Sequence, residues 1–150
     1  KAIRRQRQMC IRDRVASGGE MSRIMLAFKA IAANADSIPT LIFDEIDTGI
    51  SGHIAAVVGE KMVSIADNHQ VLCVTHLPQI AALADVHFMV QKQDDGQTTR
   101  TSLKRLEMEE RYEYIARMMS GMEDSKLAYE HARELITHSE EIKQKRRKNK

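Results

Sequence analysis

Apolar residues return at helical spacing between Ser22 and Asn34, where Ile24, Met25, Phe28, Ile31 and Ala32 share one face. Ser17 and two glycines stand just upstream, so a loop feeds the start of that helix. Pro39 then interrupts, and Thr40-Leu41-Ile42-Phe43 is a short apolar run ending in acids, the pattern of a strand buried on both faces of a parallel sheet. A second helix fits Gly52 to Ala66, with Ile54, Val57, Val58, Met62 and Ile65 on its apolar side. Val71 to Val74 is a second buried strand that ends at Thr75-His76, and Pro78 suits the first turn of a short helix. Val86–Gln91 and Thr98–Leu106 alternate as strands joined through Asp95-Gly96, a hairpin signal. Glu107–Met119 and Asp124–Thr137 read as two helices, broken at Ser120-Gly121. Helix and strand alternating in this order predict an α/β fold.

Composition narrows the class without naming a chemistry. With 150 residues, 43% of them apolar, the chain has the length of one domain and enough apolar surface for a core. No apolar run reaches the roughly 18 residues of a membrane span. Residues 1–14 hold no apolar segment of the secretory kind. Cys10 and Cys73 are too few for a disulfide framework, so a reduced, cytoplasmic setting is expected. The net charge of +2 conceals two basic ends on an acidic body. Lys1, Arg4, Arg5, Arg7, Arg12 and Arg14 face only Asp13, while Lys143, Lys145, Arg146, Arg147, Lys148 and Lys150 face Glu140 and Glu141.

Three places carry candidate chemistry. Asp44 and Glu45 follow four strand residues, and open α/β sheets place ligands at the carboxyl ends of their strands. A hard cation such as Mg²⁺ takes oxygen ligands, and a carboxylate beside it can orient or deprotonate water. Ser17-Gly18-Gly19-Glu20 opens a helix, where backbone amides can approach an anion; the S-x-x-E spacing equally makes a capping box. His76 ends the second strand, within reach of a phosphate or simply solvated. The other histidines, His131 and His138 included, have no metal-ligand spacing and read as surface residues.

Order and spacing together resemble the C-terminal half of an ABC-type ATPase head. Glu20 and Ile46 stand where transporter heads usually carry Gln and Pro, which points to the SMC-related branch acting on DNA. Within it, Val15-Ala16-Ser17-Gly18-Gly19-Glu20-Met21-Ser22-Arg23, Phe43-Asp44-Glu45-Ile46-Asp47-Thr48-Gly49-Ile50-Ser51-Gly52 and Val74-Thr75-His76-Leu77-Pro78-Gln79 closely resemble the RecN family of bacterial double-strand-break repair ATPases. The likeness continues through Ile115-Ala116-Arg117-Met118-Met119-Ser120-Gly121 and His131-Ala132-Arg133-Glu134-Leu135, and so covers about Val15 to Thr137.

The resemblance implies ATP and Mg²⁺ as cofactors and a mainly parallel sheet with flanking helices and a β-hairpin. It implies Asp44 as the Walker-B ligand of Mg²⁺, Glu45 as the catalytic glutamate and His76 as the switch histidine. Ser17, Gly18 and Gly19 are similar to the signature that meets the γ-phosphate of ATP on an opposing head. Asp47, Thr48, Gly49 and Ser51 occupy the D-loop, where Ser51 replaces the Asp of many ABC proteins; Asp47 is expected to shape that loop rather than to catalyse. The partners implied are a second head in a homodimer, DNA, and an N-terminal part of the same protein; no membrane is implied, and the setting is bacterial cytoplasm and nucleoid. No G-x-x-x-x-G-K-[ST] pattern occurs, so the P-loop half is expected to be missing and the segment alone inactive in ATP hydrolysis.

This divides the chain into 1–14, a leader whose Met9–Arg14 resembles translated adapter sequence and is expected to be non-native; 15–137, the C-terminal lobe of a head; and 138–150, a basic tail expected to be disordered. A DNA-binding role is the competing reading for both basic ends. Two other functions stay open: a non-catalytic half-module for interaction, and a head fragment of another SMC-related or ABC ATPase.

Overall fold

The computed structural model describes residues 17–32, 38–94, 98–122 and 125–148. The expected leader at 1–14 and the Asp95-Gly96 turn lie outside them.

Helix α1 spans Gly18–Ala32, strand β1 Thr40–Phe43, helix α2 Gly52–Ile65 and strand β2 Gln70–Cys73. β1 and β2 pair in parallel, Thr40 beside Gln70 and Phe43 beside Cys73, with α2 as the crossover. The Val74 amide donates to the Phe43 carbonyl at 3.0 Å and prolongs the register toward the acids. Leu41, Phe43, Ile46, Val58, Met62, Ile65 and Ile80 form the core beneath this pair, joined by Leu26 of α1.

Only one face of the sheet is covered by the described residues, against the expectation of strands buried on both sides. Leu41 and Phe43 point into the core, whereas Ile42 is 71% exposed and Leu72 and Val74 also face outward. Side chains alternate across a strand, and among the described residues no layer lies over the second face. On α1, Phe28 and Ile31 are exposed in the same way.

Helix α3, Pro78–Ala81, joins two cores: Ile80 belongs to the first, and Ala81 and Ala82 to a second with Ile115, Ala128, Ala132 and Ile136. The second core is built by α4, Met108–Ser120, and α5, Lys126–Lys148. Glu107 and Glu110 form a reciprocal capping box at the start of α4. In the chain between α3 and α4, β3 (Phe88–Asp94) and β4 (Thr99–Arg105) make an antiparallel pair with Phe88 beside Arg105.

The basic tail expected at 138–150 is corrected here, because α5 continues through it to Lys148. Ser139, Lys143 and Arg146 extend the buried face of Ala132 and Ile136 by helical steps. Ser139 donates to the Ala82 carbonyl at 2.9 Å. Lys143, only 4% exposed, reaches Asp85 at 3.0 Å and Glu140 at 2.9 Å. Arg146 donates to Asp67 at 2.6 Å and to Ser64 at 2.7 Å. Charge alone predicts a solvated run; here the acceptors are the carbonyl end of the α3 segment and the end of α2.

Candidate functional site

The start of α1 is closed by its own side chains. The Glu20 amide donates to Ser17 Oγ at 3.3 Å and the Ser17 amide to Glu20 Oε2 at 2.9 Å, the two halves of a capping box. Gly18 and Gly19 make the first turn, and what lies against them is the loop after β1. A Cβ on Gly18 would stand 2.5 Å from Glu45 Oε2, and one on Gly19 would stand 2.7 Å from the Glu45 carbonyl oxygen. Gly18 and Gly19 and the turn at Glu45, distant in sequence, therefore meet within one chain.

That loop is folded by its backbone and held by α1. Glu45 has φ of 57°, a left-handed conformation that a side chain disfavours. The Thr48 amide donates back to the Glu45 carbonyl at 3.1 Å, and Ile46 is wholly buried beneath the turn. Ser22 Oγ donates to the Asp44 carbonyl at 2.9 Å. Arg23 Nη1 donates to the carbonyls of Ile46 at 3.0 Å and Thr48 at 2.8 Å. Ser22 and Arg23 belong to the quoted motif without a role of their own; the signal for one is a polar pair set into the run of apolar residues that follows Glu20.

Asp44 and Glu45 both present exposed side chains at the end of β1. Cys73, paired with Phe43, has its thiol pushed up to about 12 by burial and then by the negative charges of Asp47 and Asp44. The strand ends are thus a region of negative field, suited to a cation. Mg²⁺ is commonly held by one or two carboxylates with phosphates and waters completing its shell, and the single exposed Asp44 carboxylate fits that donor set. Among the described residues, no three His, Cys, Asp or Glu side chains gather to cage a metal by themselves.

Asp47 lies at the centre of the site and is only 3% exposed. Its Oδ2 accepts from Thr75 Oγ1 at 2.6 Å and from the His76 amide at 2.8 Å, with His76 Nδ1 at 2.9 Å. Thr75 Oγ1 in turn accepts from the Leu77 amide at 3.1 Å. Burial pushes the Asp47 carboxyl up, but the Thr75 hydroxyl, the His76 amide and the nearby His76 ring outweigh it and hold the group below the usual carboxylate range. His76 itself is largely exposed.

Ser17, Gly18, Gly19, Asp44, Glu45, Asp47, Thr48 and His76 are gathered at one end of the sheet. Gly49 and Ser51 lie further along the loop. A Cβ on Gly49 would meet open space, and Ser51 begins α2 without a side-chain capping bond.

The fold and site together define an α/β segment with acids and a histidine at the carboxyl ends of adjacent parallel strands, where such sheets hold ligands. No family model matches the chain. It is 48% identical over 130 residues to the DNA repair protein RecN of Halalkalibacterium halodurans, covering 87% of this chain and 23% of that protein. It is 48% identical over 121 residues to RecN of Streptomyces coelicolor, covering 81% and 21%. The RecN of Bacillus subtilis is 45% identical over 132 residues, covering 87% and 23%. The resemblance to RecN thus holds over most of the chain, which matches the C-terminal part of those proteins. The chain spans between a fifth and a quarter of the length of these curated relatives. Among the described residues, no helix is long and apolar enough to cross a membrane.

Proposed function

We propose that this chain is the C-terminal part of the head of a RecN-type DNA repair protein that couples ATP hydrolysis to its action on DNA. The observation that carries the reading is the meeting of Asp44-Glu45, the Gly18-Gly19 helix start and the Asp47-held His76 loop at one end of a parallel strand pair. In this reading Asp44 holds Mg²⁺, which supplies charge neutralisation at the ATP phosphates. Glu45 orients and deprotonates the attacking water, and His76 meets the terminal phosphate. The capped α1 terminus, with Ser17, Gly18 and Gly19, offers backbone amides and a favourable dipole to the phosphate of ATP on a second, identical head. Asp47, Thr48, Gly49 and Ser51 form the loop linking the two sites. The P-loop comes from an N-terminal part of the same protein, and the whole works on DNA in the bacterial cytoplasm and nucleoid.

A second reading, a non-catalytic half-module, is favoured by the uncovered sheet face of Ile42, Leu72 and Val74. The two separate in one assay. The pure chain is expected to hydrolyse no ATP above a Glu45→Gln control. Mixed with the N-terminal part of a RecN protein it is expected to turn over ATP, and Glu45→Gln to abolish that turnover. Binding of the two parts with no turnover would overturn the catalytic reading in favour of the half-module.

A further inference from the structure

We propose that Asp47 is a positioning residue: it fixes the His76 ring with the proton on Nδ1 and leaves Nε2 as the ring nitrogen offered to a ligand. The importance given to His76 rests on the function proposed above; the orientation of its ring does not.

Two donors bond one carboxylate oxygen of Asp47, the Thr75 hydroxyl and the His76 amide, and His76 Nδ1 stands 2.9 Å from the same oxygen. The carboxylate is buried, and its Oδ2 is turned to these groups. It can hold the two residues after β2 by both backbone and ring. An ionised carboxylate only accepts hydrogen bonds, so the ring nitrogen facing it carries the proton. A free neutral imidazole has no such constraint, and which nitrogen is protonated is set by the partner of the other.

The consequence is chemical. With Nδ1–H committed to Asp47, neutral His76 turns a lone pair outward at Nε2 and can take up a proton there. Once protonated, the same nitrogen is a donor to an anionic oxygen, while Asp47 compensates the charge of the ring. The logic is that of a buried aspartate orienting a histidine in hydrolases, reached here on an unrelated loop. Asp47 acts through His76 and touches no reacting atom.

The test is a long-range ¹H–¹⁵N spectrum of the full 150-residue chain at a pH where His76 is neutral, with the His76 signals assigned by their loss in His76→Gln. Wild-type His76 is expected to show the Nδ1–H pattern. Asp47→Asn, which keeps shape but removes the charge, is expected to lose that preference, whereas Thr75→Val, which removes another donor, is expected to keep it. A wild-type His76 with its proton on Nε2 overturns the proposal without recourse to any variant. So does an Nδ1–H pattern that persists unchanged in Asp47→Asn, since a purely structural Asp47 would alter stability alone.

In the chain combined with its N-terminal part, Asp47→Asn is expected to lower kcat at least about tenfold with little change in KM, an effect of the size expected when an orienting partner is lost. The loss is expected to be non-additive with His76→Gln. Additive losses would overturn the proposal. No ATPase activity in the wild-type mixture would overturn the proposed function, yet the spectrum would still report the ring's orientation.

Discussion

Gly19 and Glu45 are in such close backbone contact that a methyl group on Gly19 would lie 2.7 Å from the Glu45 carbonyl oxygen and 3.0 Å from Thr48. The obstacle is main chain, so no rotamer change relieves it. Gly19→Ala is expected to destabilise the fold by about 1–3 kcal/mol, the range for overpacking a closed contact. At Gly18 the obstacle is the Glu45 carboxylate, which can swing aside. Gly18→Ala should therefore shift the urea midpoint less than Gly19→Ala, and the reverse order would contradict the contact.

Arg23 ties the helix to the turn through two carbonyls that lie two residues apart. Arg23→Ala is expected to cost about 1–3 kcal/mol, because hydrogen bonds from a charged donor fall in that range. Amide exchange localises the effect: Thr48 and Ile50 should exchange faster while the amides of β1 keep their protection.

The depressed carboxyl of Asp47 gives stability a direction with pH. In the unfolded chain this group titrates at about 3.9, and in the folded chain lower. The unfolded state thus binds the proton more tightly. The contribution is complete above the ordinary carboxylate range and declines as pH falls through it toward the lowered folded value. Asp47→Asn should flatten the fall in thermal midpoint between about pH 5 and pH 2; an unchanged slope would assign acid sensitivity to other groups.

The last helix makes a separate prediction. A chain ended at His138 loses the bonds of Ser139, Lys143 and Arg146, and is expected to unfold at lower urea. A chain ended at Arg147 keeps all three and should match the wild type. Lys143→Met, which fills the same space without a charge to bury, should lie within about 1 kcal/mol of wild type, since its partners Asp85 and Glu140 are exposed and stay solvated when the lysine is lost. Measuring DNA affinity of the wild-type chain and of Lys145→Gln against salt then isolates the exposed cations from the structural ones.

Much of this arrangement is legible in the residues themselves. The apolar run Thr40–Phe43 and the capping pair Ser17 and Glu20 are local features, and each forms as its pattern dictates. The position of Asp47 is not local. The resemblance marks Asp47 as a residue that shapes its loop, but its partners Thr75 and His76 appear only when the strand pairing brings them against it. The end of α5 misleads for the opposite reason. Its buried face continues in helical steps, but through Ser139 and Lys143, which a hydrophobic pattern counts as solvent-facing. The uncovered side of β1 and β2 has a third cause: a continuous apolar run states that both faces avoid water, not which chain segment covers them.

Glu45 supplies a last consequence, through its φ of 57°. A left-handed backbone costs a residue with a side chain roughly 1–2 kcal/mol relative to one without. Glycine would occupy the turn with less strain, and asparagine is the usual second choice. A segment shaped only for its own persistence would carry one of them there. The turn instead bears a charged side chain, exposed to solvent with its carboxylate beside Gly18, so the strained backbone is spent on holding a carboxylate at the start of α1, where neither glycine nor asparagine could put a charge.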